Sequence, residues 1–303
     1  MVPGFRYHLV TIIAIFLALG VGIAIGSSFV QGPLVEQQTR RLDDLKNQYN
    51  NQVLVAQESL KTYSDFVSAL TPRLIQGRLA GMHIAIVQTG DYPDTVRRTR
   101  EILEQAGATV SSETVIESSF ATRASLVLPN LYPKLHAANP SLQNDTGAVW
   151  QSLSAALVRG GHESEISALN DARLIRRDGD YVSANEWIVL VGGAADESVS
   201  RADSIDIPLI AQIKSNGGNV LEAEPRLATV SYIQALRGSE ISTVDHADTD
   251  IGRLAVVLAI KAERGSYGIK NASQSGILPP LIPTPAPSLS SNPSDDLHRH
   301  SSP

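Results

Sequence analysis

Cysteine is absent from the 303 residues, and methionine occurs only at Met1 and Met82. The first absence excludes disulfides, Cys-ligated zinc, iron–sulfur clusters and thiol catalysis. The second leaves no Met-rich site for a soft metal ion. Aromatic residues make up 5% of the chain, too few for the aromatic girdles of an outer-membrane barrel. A basic excess is lacking too, since 25 Lys and Arg stand against 31 Asp and Glu for a net charge of −6. Nothing is in surplus to neutralise phosphates, so nucleic acid is not an expected partner. What is present suffices for a core: 43% hydrophobic against 18% charged residues sets global disorder aside. The length suits one sizeable α/β domain with appendages.

A long uncharged run opens the chain. Residues 9–26 (LVTIIAIFLALGVGIAIG) would extend about 27 Å as a helix, near the thickness of a hydrocarbon core. Ala24 and Gly26 occupy the small positions before a signal-peptide cut at Ser27, which is the competing reading. Against it, the run is longer than an h-region of about 7–15 residues and leads directly into a helix-forming stretch. The favoured reading is an uncleaved anchor in the cell membrane: a short cytoplasmic N-terminus (1–8), one span (9–26), and the C-terminal domain exported. Arg6 and the terminal amine nearly balance Arg40 and Arg41, so the orientation rests on the very short N-terminal flank. Gly22 and Gly26 form a G-x-x-x-G pair, a face on which a second membrane helix can pack closely.

Residues 34–76 are polar, poor in glycine and periodic. Val53, Ala56, Leu60, Tyr63, Val67, Leu70 and Leu74 follow an unbroken alternation of three- and four-residue steps. Leu42, Leu45 and Tyr49 extend it upstream, the step to Val53 acting as a stutter. Such spacing draws an apolar seam along a helix roughly 60 Å long. A helix lying on its own domain would show the same pattern. Its position between anchor and domain favours a coiled-coil stalk, and an apolar seam on a stalk calls for a partner helix. That partner is a second copy or another envelope protein.

The globular part is expected over residues 79–268. Residues 82–88 (MHIAIVQ) read as a strand, followed by Thr89–Gly90–Asp91, a helix over 94–106, a cap at Gly107 and a strand over 108–116. Residues 118–183 read as helices and loops, including a helix over 146–159. A second buried strand, WIVLV at 187–191, ends in Gly192–Gly193. Further expected elements are a helix over 207–215, strands over 220–223 and 241–244, and a deeply packed helix over 251–262. The alternation predicts a three-layer, mostly parallel sheet of the Rossmann or flavodoxin-like kind. From Asn271 the composition changes, and residues 271–303 hold seven of the 16 prolines, which predicts a disordered tail.

Candidate chemistry is sparse. Gly192–Gly193 sits at a strand end where doubly wound sheets bind ligands, yet neither G-x-G-x-x-G nor a P-loop lysine is present. A tight turn is the reading that follows. Asp245, Asp248 and Asp250 cluster after the strand ISTV, where carboxylates hold a hard cation or cap a helix; the missing EF-hand spacing favours capping. The histidines (His8, His83, His136, His162, His246, His298, His300) are scattered, with only the tail pair close in sequence. No catalytic residue and no metal ligand is assigned.

Residues 5–28 (FRYHLVTIIAIFLALGVGIAIGSS) and 240–260 (EISTVDHADTDIGRLAVVLAI) resemble the two ends of the actinobacterial MctB family, named for copper transport protein B. The order of anchor, coiled coil, HIAIV strand, WIVLVGG strand and ISTVD segment is similar to that family across nearly the whole folded chain. The resemblance implies a cell-envelope location and two functions. One is copper efflux or copper resistance, as an outer-membrane pore of mycobacteria. The other belongs to a SteB-like branch, in which a SteA-like membrane partner and a coiled-coil-bearing peptidoglycan hydrolase act in cell separation. A copper(I) path wants Cys, Met or His, and a barrel wants many alternating strands of about ten residues. The residues therefore favour a non-enzymatic, membrane-anchored protein assembling through its coiled coil, with copper transport as the alternative. Copper enters as a cofactor only through the resemblance. An enzyme is the third class, and it would need convergent polar groups at Thr89–Asp91 and Gly192–Gly193.

Overall fold

The computed structural model describes residues 4–196 and 200–281, so most of the expected tail, with His298 and His300, lies outside the described residues. The chain divides into two compact units, residues 1–66 and 67–303. The first consists of a single helix, α1 (Gly4–Ile75), whose last turns belong to the second unit. Expected anchor and expected stalk are thus one element. The segment Arg6–Gly26 is long and apolar enough to cross a membrane, with mean hydropathy 2.7 and none of that window buried.

The second unit contains β1 (His83–Gln88), α2 (Pro93–Gln105), β2 (Thr109–Ile116), α3 (Phe120–Ala138), α4 (Gly147–Arg159) and α5 (Glu163–Asp171). It continues with β3 (Ile175–Gly179), β4 (Trp187–Val191), α6 (Ile207–Ser215), β5 (Asn219–Ala223), β6 (Ser242–Val244), α7 (Asp250–Lys261) and β7 (Ser266–Tyr267). Among the described residues these strands form one seven-stranded sheet in the order β3-β2-β1-β4-β5-β6-β7. Every pairing is parallel except that of β3 with β2. The fold is the expected three-layer α/β arrangement.

Two-sided burial explains the unbroken apolar runs of the central strands. In β1 and β4, Ala85, Val87, Ile188 and Leu190 face one core, shared with α3, α4, α5 and α6. Ile84, Ile86, Val189 and Val191 face the other, shared with α2 and α7. Helix α7 is apolar almost all round because Leu254 to Ile260 are buried as a continuous stretch. Ile75, at the end of α1, joins that second core together with Leu79, and Leu74 packs against it. The last turns of the expected stalk therefore do lie on their own domain.

Strand β3 corrects the reading of residues 118–183 as mostly helical or looped, and the short β7 lies where no strand was expected. β3 reads IRRDG and is exposed at every residue after Ile175, so no apolar alternation marks it. It runs antiparallel along the sheet edge, where charged side chains discourage pairing with another chain. Arg173, with φ 55°, makes the turn that delivers it from α5.

Candidate functional site

The chain leaves β2 and β3 on one side of β1 and resumes at β4 on the other, so the strand order reverses between β1 and β4. Ligands of doubly wound folds enter there, outside the carboxyl ends of the strands. Here backbone hydrogen bonds close that crevice. The amides of Thr89 and Gly90 both donate to the Val191 carbonyl at 3.0 Å, and that of Asp91 donates to the Gly193 carbonyl at 3.0 Å. Gly90 is required by this approach, because a Cβ would collide with the Gly192 and Gly193 backbone. Gly193, at φ 91°, supplies a left-handed turn that L side chains adopt rarely.

A strap from Pro225 to Tyr232 covers the closure. Ala194 and Val230 exchange backbone hydrogen bonds at 3.0 Å in both directions. The Tyr92 hydroxyl donates to the Ala194 carbonyl (3.1 Å) and accepts from the Thr229 amide (3.3 Å). The Asp91 carboxylate accepts from the Arg201 guanidinium at 2.5 Å and from the Ala195 amide at 3.1 Å. Arg201, ahead of a π-helical turn at Ala202–Asp206, also reaches the Tyr232 hydroxyl at 3.3 Å.

Beneath the strap lie three fully buried carboxylates, Asp206, Glu222 and Glu224. Glu224 is satisfied: it accepts from Lys270 Nζ (2.7 Å), Ser231 Oγ (2.6 Å) and the Tyr232 amide (2.9 Å). None of the four carboxylate oxygens of Asp206 and Glu222 meets hydrogen-bond geometry with a partner, although the Thr89 hydroxyl approaches Asp206 closely enough to favour its charged form. Burial pushes the Asp206 carboxyl up to about 7, against the pull of nearby Thr89 and Arg201. Burial, followed by the charges of Asp206 and Glu224, drives the Glu222 carboxyl well above the ordinary range.

Of the expected acidic cluster, none behaves as a shared ion site. Asp245 accepts from the Ile269 amide (2.9 Å), the Lys270 amide (2.8 Å) and Ser273 Oγ (2.5 Å), fastening residues 269–273. Burial opposes its charge, but those donors and the adjacent His246 ring prevail and hold its pKa at about 2. Asp248 accepts from the Arg226 amide at 2.6 Å. The cap of α7 is Thr249, whose hydroxyl accepts from the Gly252 amide at 3.0 Å; the expectation of aspartate caps holds only for Asp250 in the first turn, which pairs with Arg253. Among the described residues no group of three His, Asp or Glu is placed to hold a metal ion.

The sequence missed Arg201, Asp206, Glu222, Glu224, Tyr232 and Lys270. Glu222 alone left a trace, as a charged residue inside the otherwise apolar strand VLEA.

The seam residues divide between the two units. Leu42, Leu45, Tyr49, Leu60 and Tyr63 are exposed, Leu60 at 68%; Ala56 is exposed and Val53 is half-buried. Val67 and Leu70, in the second unit, are half-buried, and the neighbouring Thr71 is buried. A Cβ added at Gly22 or Gly26 would meet nothing within 4 Å, so that face of α1 is open.

Residues 2–278 match the family described as "Copper transport outer membrane protein, MctB". The chain is 25% identical over 305 residues to the protein named "Copper transporter MctB" in Mycobacterium bovis, covering 89% of this chain and 97% of that one. The Mycobacterium tuberculosis protein of the same name gives the same figures. That of Mycobacterium leprae is 23% identical over 312 residues, covering 90% and 98%. An anchor-type apolar helix, a parallel α/β domain and a match over nearly the whole chain agree: the chain belongs to the MctB family.

Proposed function

We propose that this chain is a non-enzymatic, membrane-anchored envelope protein whose stalk assembles it with envelope partners in cell separation. The partners in this reading are a SteA-like membrane protein and a coiled-coil-bearing peptidoglycan hydrolase. The observation that supports it is the row Leu42, Leu45, Tyr49, Leu60 and Tyr63, all exposed on one periodic face of α1. Burying a Leu side chain contributes about 1.5–3 kcal/mol relative to leaving it in water, so four or five such residues can order a partner helix. The closed crevice supports the non-enzymatic half of the reading, since the amides of Thr89, Gly90 and Asp91 are taken up by the Val191 and Gly193 carbonyls.

Copper transport is the second reading, favoured by the names of the relatives. A path for copper(I) in this chain would run without cysteine and with Met1 and Met82 as its methionines, so its donors would come from histidine and oxygen ligands or from several copies. The test replaces Leu45 and Leu60 together with Glu. The assembly reading expects loss of cross-linked complexes and chained, unseparated cells at normal copper tolerance. Intact complexes with normally separating but copper-sensitive cells would support the second reading instead.

A further inference from the structure

We propose that Asp206 and Glu222 are a proton-binding pair that latches the strand-end crevice shut, and that the crevice loosens as the pair loses its protons on going from acid toward alkaline pH. The pair is placed for this. Both side chains are fully buried, and both converge on Gly192, the first residue of the turn that closes the crevice. A Cβ at Gly192 would strike Glu222 Oε1 and lie 3.4 Å from Asp206 Oδ2. The Gly192 amide is itself tied to the Ala223 carbonyl at 2.9 Å, next to Glu222 in β5. Any movement of the pair therefore presses on the turn that receives Gly90 and Asp91.

The charged groups facing the pair from each element do not neutralise it. From the segment ahead of the π-helical turn comes Arg201, engaged by Asp91 and by the Tyr232 hydroxyl of the strap. From the end of β5 comes Glu224, a further negative charge whose cation is Lys270. From the end of β1 comes Thr89, which is neutral, while Asp91 just beyond it engages Arg201. Among the described residues Arg201 is paired with Asp91 and Lys270 with Glu224, which leaves Asp206 and Glu222 as two uncompensated negative charges if both ionise. Two uncompensated carboxylates in a desolvated interior carry a heavy penalty, and protonation removes it. Among the described residues no third ligating side chain joins the pair, and a proton is the cation that two buried carboxyls take up without further ligands. The upward displacement of both carboxyls agrees with this arrangement.

The sign follows from linkage. A carboxyl that holds its proton more tightly in the closed state favours that state in acid and progressively less as the pH rises. Between roughly pH 5 and 7 each such group should raise the population of the open crevice about tenfold per pH unit.

Hydrogen exchange on the full chain in detergent micelles, corrected for intrinsic rates, reads this directly. Peptides containing Gly90, Asp91 and Ala194 should lose protection steeply between pH 5 and 7, while amides inside α4 should not. Asp206→Asn with Glu222→Gln should flatten that profile. Infrared spectra of the unmodified protein provide the measurement that needs no variant: a protonated-carboxyl band should be present near pH 6 and weaken as the pH rises. A flat protection profile, or the absence of that band, overturns the proposal. So does a rise in melting temperature with Mg²⁺, Mn²⁺ or Ca²⁺ that the double variant abolishes, since the pair would then be a metal site.

Discussion

Leu60 and Leu190 are the same residue type in opposite circumstances: the first is 68% exposed on α1, the second fully buried in β4. The domain from residue 67 onward completes its own core, packing both faces of the sheet with helices. The helix before it presents a row of large apolar side chains that stand exposed among the described residues. A self-sufficient region reports on folding; an incomplete one reports on assembly. The two should therefore fail independently when mutated.

The largest effect is expected in the domain. Leu190→Ala removes a fully buried side chain and should cost about 2–5 kcal/mol of domain stability. Both tryptophans, Trp150 and Trp187, lie in the second unit, so fluorescence during denaturant unfolding follows the domain alone. Cross-linking through the stalk should be unchanged in that variant. Loss of both together would mean that the two regions are one cooperative unit.

Next comes Asp245, whose depressed pKa belongs to the folded domain. A carboxylate held at about 2 contributes stability that is present above its unfolded value near 4 and lost as the pH falls from there toward 2. Asp245→Asn should cost about 2 kcal/mol at neutral pH and almost nothing near pH 2. Denaturation midpoints across that range check it. An equal loss at both ends would show that the side chain acts by packing rather than by charge. Within the same domain Asp206 and Glu222 run the other way, losing stability as the pH rises, so one region carries both signs of pH dependence.

The smallest effect on stability is expected from the stalk. Leu45→Glu with Leu60→Glu alters exposed positions and should change domain unfolding by no more than about 0.5 kcal/mol. Its effect belongs to association, read by cross-linking in native membranes. A clear fall in domain stability would mean that the seam packs on the domain along more than its last turns.

What was legible from the residues follows from where periodicity is enforced. HIAIV and WIVLV announced central strands because both faces are buried, and the position of the strand-end glycines followed from them. The 3-4 spacing marked α1 but did not reveal where it stops being free, since Val67 and Leu70 look like Leu60 in sequence and differ only through neighbours distant along the chain. β3 left no signal because an edge strand of Arg, Arg and Asp has no apolar side to repeat. The buried acids were illegible for a different reason. Arg201, Asp206, Glu222, Glu224 and Tyr232 come together through the crossover that places β4 and β5 beside β1, and no local spacing encodes that meeting.

Because the chain has no cysteine of its own, cover over the seam can be measured directly. Single-cysteine chains carrying Leu60→Cys on the seam or Glu58→Cys on the opposite side of α1 can be labelled with a maleimide in native membranes. Cys at 60 should react several-fold more slowly than Cys at 58, and the difference should disappear when the protein is solubilised and diluted. Equal rates in native membranes would contradict that expectation, for the seam would then stand in water and no partner helix would cover it.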